Sequence, residues 1–161
     1  MQFSFNYESH MDVHNRALID ALQRDARLSF SALAREVGLS QPAVAERVRR
    51  LEESGVLNRY QAVIARERIG LPITAFLRLT CPGEKYRAVA ALVADLPDVL
   101  ECHHVTGDDC FFLKVGVESL RSLERVVKRF REHGQTTVTI ALSTLVENKP
   151  VVAPKTQPKK E

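Results

Sequence analysis

The chain has 161 residues, room for one medium or two small domains but too little for a large multidomain enzyme. Hydrophobic residues make up 45% and charged residues 27%, which excludes a disordered chain, and no apolar run approaches the roughly 18 residues of a membrane-spanning helix. The net charge is +3, but four lysines against one glutamate in residues 149–161 account for all of it, so any affinity for nucleic acid must come from a local patch.

Residues 1–8 show neither a basic leader nor an apolar stretch, which gives the expectation of a cytoplasmic protein. From residue 11 to about 53 the pattern is helical. Asp12 caps a first helix with an apolar stripe of Leu18, Ile19 and Leu22. A second, short helix follows Ser29 or Ser31, turns Leu33, Ala34 and Val37 inward, and stops at Gly38, which tolerates the left-handed conformation past a helix end. Ser40 caps a third helix with Pro42 in its first turn, where a missing N–H is harmless, running to about Ser54 before Gly55. Its stripe of Val44, Val48 and Leu51 faces inward. Residues 56–57 and 60–64 are β-type and predict a small wing.

At Gly70-Leu71-Pro72 the chain is punctuated and the period switches to two. Ile73, Ala75, Leu77 and Leu79 alternate with Thr74, Phe76, Arg78 and Thr80, a half-buried strand. A helix over 84–96, with Tyr86, Val89, Val93 and Leu96 on one side, ends at Pro97. Strands over 99–105 and 110–117 flank a turn at Thr106-Gly107-Asp108-Asp109 and make a hairpin. A helix over 120–132 carries Leu123, Val126, Val127 and Phe130. A fourth strand is predicted over 137–145, with Val138, Ile140 and Leu142 on one side. The order β-α-β-β-α-β is the ferredoxin-like arrangement, so the fold class is α+β. Both helices then cover one sheet face, and Phe76, Phe112 and Leu100 or Cys102 on the other mark a surface for self-association. The predicted division is a first, helical domain over 11–65, a linker over 66–72, a second domain over 73–149, and a disordered basic tail over 150–161 with nothing to bury.

Two helices joined by the tight Gly38-Leu39-Ser40 turn, the second capped and amphipathic, have the form of a helix-turn-helix. With the valines and Leu51 inward, Pro42, Ala43, Glu46, Arg47, Arg49 and Arg50 lie outside. Together with Ser40 and Gln41 at the helix start they form the expected DNA-facing set. Arginine is the only cationic side chain besides histidine in the first half of the sequence, and its planar fork suits phosphate and guanine. Small Ala43 admits the backbone to the groove, Arg47 and Arg50 share a flank within reach of base edges, and Arg49 points toward the phosphate wall; Arg47 is the first candidate for base contact. The bland alternative is a solvated face in which the arginines pair with Glu46, Glu52 and Glu53.

The segments Met11-Asp12-Val13-His14-Asn15-Arg16-Ala17-Leu18-Ile19, Gln23-Arg24-Asp25-Ala26-Arg27, Leu33-Ala34-Arg35-Glu36-Val37-Gly38-Leu39-Ser40 and Arg47-Val48-Arg49-Arg50-Leu51-Glu52-Glu53-Ser54-Gly55-Val56-Leu57, with Tyr60, closely resemble the Lrp/AsnC transcriptional regulators. The resemblance extends over about residues 11–148. It implies a winged helix-turn-helix followed by a ferredoxin-like effector domain, a homodimer assembling to higher oligomers, double-stranded DNA as partner and an amino acid or related small molecule as effector. Its effector loop often reads Thr-Gly-x-x-Asp before an aromatic residue, which places the effector-binding set at Thr106, Gly107, Asp108, Asp109 and Cys110. Cys110 stands where the acid often sits, and Asp109, one residue earlier, would face the other side of a strand.

Other chemistry is sparse. Cys81, Cys102 and Cys110 form no CxxC pair, and an odd number cannot all pair within the chain, so reduced thiols are expected. A hairpin could gather Cys102, His104 and Cys110 for a metal, but the paired spacing of a metal site is absent. A Cys-His nucleophile has no orienting third group. With seven glycines and neither nucleotide-binding glycine motif, no cofactor is implied. The reading is a sequence-specific transcriptional regulator and not an enzyme. The alternatives are an architectural DNA-compacting protein without effector, or an enzyme similar to siroheme decarboxylases.

Overall fold

The computed structural model describes residues 11–152. Residues 1–10 and most of the predicted tail, 153–161, lie outside the described residues. The chain divides into two compact units, one holding residues up to Val63 together with those from Val146 onward, the other Ile64–Leu145.

The first unit is three helices, α1 (Val13–Arg24), α2 (Phe30–Val37) and α3 (Gln41–Glu53). Each begins as its local sequence dictates. Asp12, Ser29 and Ser40 accept backbone N–H bonds from Asn15, Ala32 and Ala43 respectively, so Ser29 rather than Ser31 caps α2. Gly38 closes α2 at φ 70°, a left-handed conformation that costs a glycine nothing. Leu18, Ala21, Leu22, Leu33, Ala34, Val44 and Val48 form the core. Ile19, expected in that stripe, is only half-buried, and Ala21 takes its place.

The wing is not formed within this chain: among the described residues no strand lies between α3 and residue 73. Leu57 packs on the three-helix core, and its N–H donates back to the Leu51 carbonyl at 2.9 Å. That donor is therefore unavailable to a strand ladder, and an isolated two-stranded ribbon is marginal in water. Within the predicted linker, Arg66–Ile69 form a short 3-10 turn ended by Gly70.

The second unit is a four-stranded antiparallel sheet with two helices: β1 (Ile73–Thr80), α4 (Tyr86–Asp95), β2 (Val99–His104), β3 (Phe111–Val117), α5 (Leu120–Arg131) and β4 (Gln135–Ile140). The spatial order β2-β3-β1-β4 is that of the split β-α-β fold expected from the sequence. Ala75, Leu77, Leu79, Leu113, Val115 and Val117 of the central strands meet Val89 and Leu92 of α4 and Leu123, Val126, Val127 and Phe130 of α5. The opposite face leaves Phe76, Leu100 and Phe112 exposed, and Cys102 turns instead to the helix side, against the core.

The last strand starts earlier and stops sooner than its apolar pattern suggests. Its ladder to β1 runs from Thr80↔Gln135 to Ala75↔Ile140, and the final bond is Ala141 N–H to Thr74 O. Beyond this only Ile73 of β1 remains before Pro72, no further rung forms, and Leu142 is 99% exposed. The tail is tied at its start: the Gln23 amide donates to the Val151 carbonyl at 2.9 Å and accepts the Val151 N–H at 2.8 Å.

Candidate functional site

The exposed side of α3 carries the predicted DNA-facing set. Ser40 is spent as the helix cap and, with Gln41 and Pro42, is exposed; Ala43 is half-buried. Glu46 is the hub of the outer face. One of its oxygens accepts from Arg49 Nη2 and from Arg50 Nε, both at 2.8 Å, while the second accepts from Arg49 Nε at 3.0 Å. Arg49 also pairs with Glu53 one turn on. These charge-assisted bonds from Arg49 and then Arg50 pull the Glu46 carboxyl down to about 2, so it remains ionised throughout the neutral range. Arg49 and Arg50 stay open to solvent, with 55% and 69% of their side chains exposed.

Arg47, expected to project outward with them, behaves differently. Its guanidinium turns onto the N-terminus of α1, where one nitrogen donates to Asp12 Oδ2 at 2.6 Å and to Asn15 Oδ1 at 2.8 Å, and the side chain is 30% exposed. The cause is its place on the helix. Next to buried Val48 and one turn before buried Leu51, it sits on the rim of the inward stripe, whereas Glu46, Arg49 and Arg50 lie farther round. Asp12 therefore has two duties, capping α1 and holding α3. Burial pushes its carboxyl up, but the Asn15 N–H and the Arg47 guanidinium outweigh this and the net shift is downward. The sequence signal was available in the rim position of Arg47, but Asp12 and Asn15, some 35 residues away, were not foreseen as its partners.

In the second unit the loop between β2 and β3 is closed by the Val105 N–H donating to the Cys110 carbonyl at 3.0 Å. Thr106, Gly107 and Asp108 are exposed at its tip, with Gly107 at φ 117°. Asp109 and Cys110, which lie just before β3, part company. Asp109 accepts from the Thr80 hydroxyl at 3.4 Å and from Arg78 Nη1 at 3.5 Å, both residues of the open sheet face. Cys110 turns the other way, to Cys81 and Tyr86. The five residues thus form one loop with two chemical sides, an acid flanked by a cation and a hydroxyl, and a thiol beside a thiol and a phenol. Arg78, Thr80, Cys81 and Tyr86 were not singled out as neighbours of this loop from sequence.

The residues considered for a metal do not converge. His104 packs against the rings of Tyr86 and Phe111, at centroid distances of 4.9 and 5.2 Å, while Cys102 packs on the core and Cys110 bonds to Cys81. Among the described residues no group of three or more His, Cys, Asp or Glu side chains is placed to hold a metal ion. Nor is any described helix long and apolar enough to cross a membrane.

The model of the AsnC-type helix-turn-helix domain matches residues 11–52, and that of the Lrp/AsnC ligand binding domain matches residues 74–151. The transcriptional regulator LrpA of Mycobacterium tuberculosis is 36% identical over 143 residues, spanning 86% of this chain and 95% of that protein. The regulator LrpC of Bacillus subtilis is 30% identical over 128 residues, 80% of this chain and 89% of that protein. Its solved structure superposes with a TM-score of 0.81 at 29% identity, covering 84% of this chain and 97% of that one. A transcriptional regulator of Neisseria meningitidis, solved in complex with L-Met, shares the fold at TM-score 0.82 and 22% identity, covering 88% of this chain and 96% of that one. With its capped helix-turn-helix and its ferredoxin-like second unit, the chain belongs to the Lrp/AsnC family of DNA-binding transcriptional regulators.

Proposed function

We propose that α3 contacts double-stranded DNA through Arg49 and Arg50, with Arg47 holding α3 against α1. The observation that carries this is the exposed Arg49–Glu46–Arg50 cluster on the outer face of a capped helix. Exposed ion pairs are weak and solvent-exchangeable, so a phosphate can replace Glu46 as the arginines' partner without a buried charge being uncovered. Ser40, Gln41, Pro42 and Ala43 sit at the N-terminus of the same helix, where backbone N–H groups favour phosphate and small side chains admit the groove.

The open sheet face with Phe76, Leu100 and Phe112 supports a homodimer that assembles further, since exposed large apolar side chains on an open sheet face favour association. A dimer would offer two recognition helices to major grooves about 34 Å apart. The loop at Thr106, Gly107, Asp108, Asp109 and Cys110 is the proposed site of an amino acid or related small molecule, with Asp109 and Arg78 supplying opposite charges for its ammonium and carboxylate groups. A shared fold with a regulator solved with L-Met supports that class of effector. The effector acts by favouring one assembly over another. The protein works in the cytoplasm as a regulator, not an enzyme.

The test compares binding to the chain's own promoter and to random DNA, for the wild type and for Arg49→Ala with Arg50→Ala. A wild-type preference of at least about 1,000-fold, with both affinities reduced in the double variant, is expected. A small ratio points to an architectural protein, and unchanged binding in the variant defeats the assignment. For the effector, assembly and thermal stability are followed with each amino acid in turn. A shift with at least one of them is expected, and none in a folded, oligomeric sample defeats that part.

A further inference from the structure

We propose that Cys81 and Cys110 form a peroxide-oxidisable thiol pair, a modification site that closes to a disulfide at the root of the 105–110 loop. Cys81 is the residue after β1 and Cys110 the residue before β3, and the two strands run antiparallel with Leu79 opposite Phe111. The Cys110 sulfur lies against the main chain of Cys81: its S–H donates to the Cys81 carbonyl at 3.2 Å, and it accepts the Cys81 N–H at 3.4 Å. The Cys110 N–H also donates to the Leu79 carbonyl at 2.8 Å, so the chain at the end of β1 and that before β3 are held together here, and a bridge between side chains already in contact with one another's residues needs little backbone movement.

The two sulfurs have distinct surroundings suited to distinct steps. Cys110 is half-buried beside the exposed Thr106, Gly107 and Asp108, so a small oxidant reaches it from the loop. The Cys81 N–H and then the Tyr86 hydroxyl favour its thiolate and hold the thiol below its ordinary range, with the Asp109 carboxylate opposing them. Cys81 is buried, and that burial raises its thiol. Cys102 is also raised by burial and packs against the core. A low-lying, accessible thiol beside a resolving partner is the arrangement that peroxide oxidises reversibly.

In the first step the Cys110 thiolate attacks one oxygen of hydrogen peroxide. The O–O bond breaks, a proton joins the departing hydroxide, and the products are Cys110 sulfenic acid and water. In the second step the Cys81 sulfur displaces hydroxide from that sulfenic acid, and its thiol proton leaves with it as a second water. Two thiols and one peroxide thus become one disulfide and two waters. The bond fastens the end of β1 to the root of the loop whose tip carries Thr106 to Asp108. The oxidation chemistry stands on this geometry alone, whichever ligand the loop takes.

The test exposes the full-length protein to hydrogen peroxide, caps the remaining thiols with N-ethylmaleimide and maps the peptides by mass spectrometry. The expected product has lost two hydrogens, links the Cys81 and Cys110 peptides, leaves Cys102 capped, and regains all three capped thiols with dithiothreitol. Cys102→Ser forms the same link, and Cys81→Ser stops at a sulfenic acid on Cys110 that dimedone traps. Because a Cys81 variant removes a buried side chain, the wild-type and Cys102→Ser maps decide if it does not fold. All three thiols still capped after peroxide, or a link made through Cys102 or between chains, overturns the assignment.

Discussion

Two arginine-bearing amphipathic helices, α3 and α5, show how little a charged face says on its own. Helix α5 has the stronger cationic exterior, with Arg121, Arg125, Lys128, Arg129 and Arg131, and it buries Ser122, Leu123, Val126, Val127 and Phe130 against the sheet. Helix α3 buries only Val44, Val48 and Leu51, so more of its circumference is free. It follows a tight glycine turn and is held by neighbouring helices along one narrow stripe, which leaves its outer face and its capped N-terminus presented together. Helix α5 is covered by the sheet along a broad face and serves mainly as a wall of the core. Presentation, more than charge, separates the two.

Removing the anchor of α5 should give the largest effect. Phe130 is fully buried, and Phe130→Ala is expected to cost about 3–5 kcal/mol in denaturant unfolding. A loss below about 1 kcal/mol would mean that α5 is not the core wall described. The Asp12 clasp comes next. Asp12→Ala removes the α1 cap and the partner of Arg47 at once, and a loss of about 1–2 kcal/mol is expected.

The clasp also has a pH signature. The folded-state pKa of Asp12 lies below its unfolded value, so its stabilisation is present above the ordinary carboxylate range and is lost as pH falls through the depressed value. Asp12→Asn should flatten this acid limb of the stability profile relative to wild type. An identical limb would show that the pair with Arg47 contributes nothing. The smallest effect should come from Arg129→Ala on the outside of α5, within about 0.5 kcal/mol of wild type, with DNA binding unchanged. Lost DNA binding in that variant would erase the contrast between the helices.

What the sequence revealed and what it hid follow the range of the interactions. The three helices of the first unit were legible because their caps at Asp12, Ser29 and Ser40 and the stop at Gly38 act within four residues. The sheet was legible because β1 and the first half of β3 alternate between buried and exposed positions. The missing wing was not, since Leu57 looks like a strand residue until its N–H is seen bound to Leu51. The early end of β4 was equally hidden, because it is set by where β1 begins and not by residues 141–145. At the site, Asp109 and Cys110 take opposite sides as expected, but through the loop that precedes β3, since Cys110 shares the core side with Phe111. The fate of Arg47 turned on Asp12, a residue whose local duty as a cap gave no hint of its second partner.

The central claim is that the outer face of α3 meets the phosphate backbone. It is tested most directly by the salt dependence of promoter binding for the wild type, Arg49→Ala and Arg129→Ala. The log–log slope should become shallower by about one for Arg49→Ala and stay at the wild-type value for Arg129→Ala. An unaltered slope in Arg49→Ala, or a shallower one in Arg129→Ala, would contradict it.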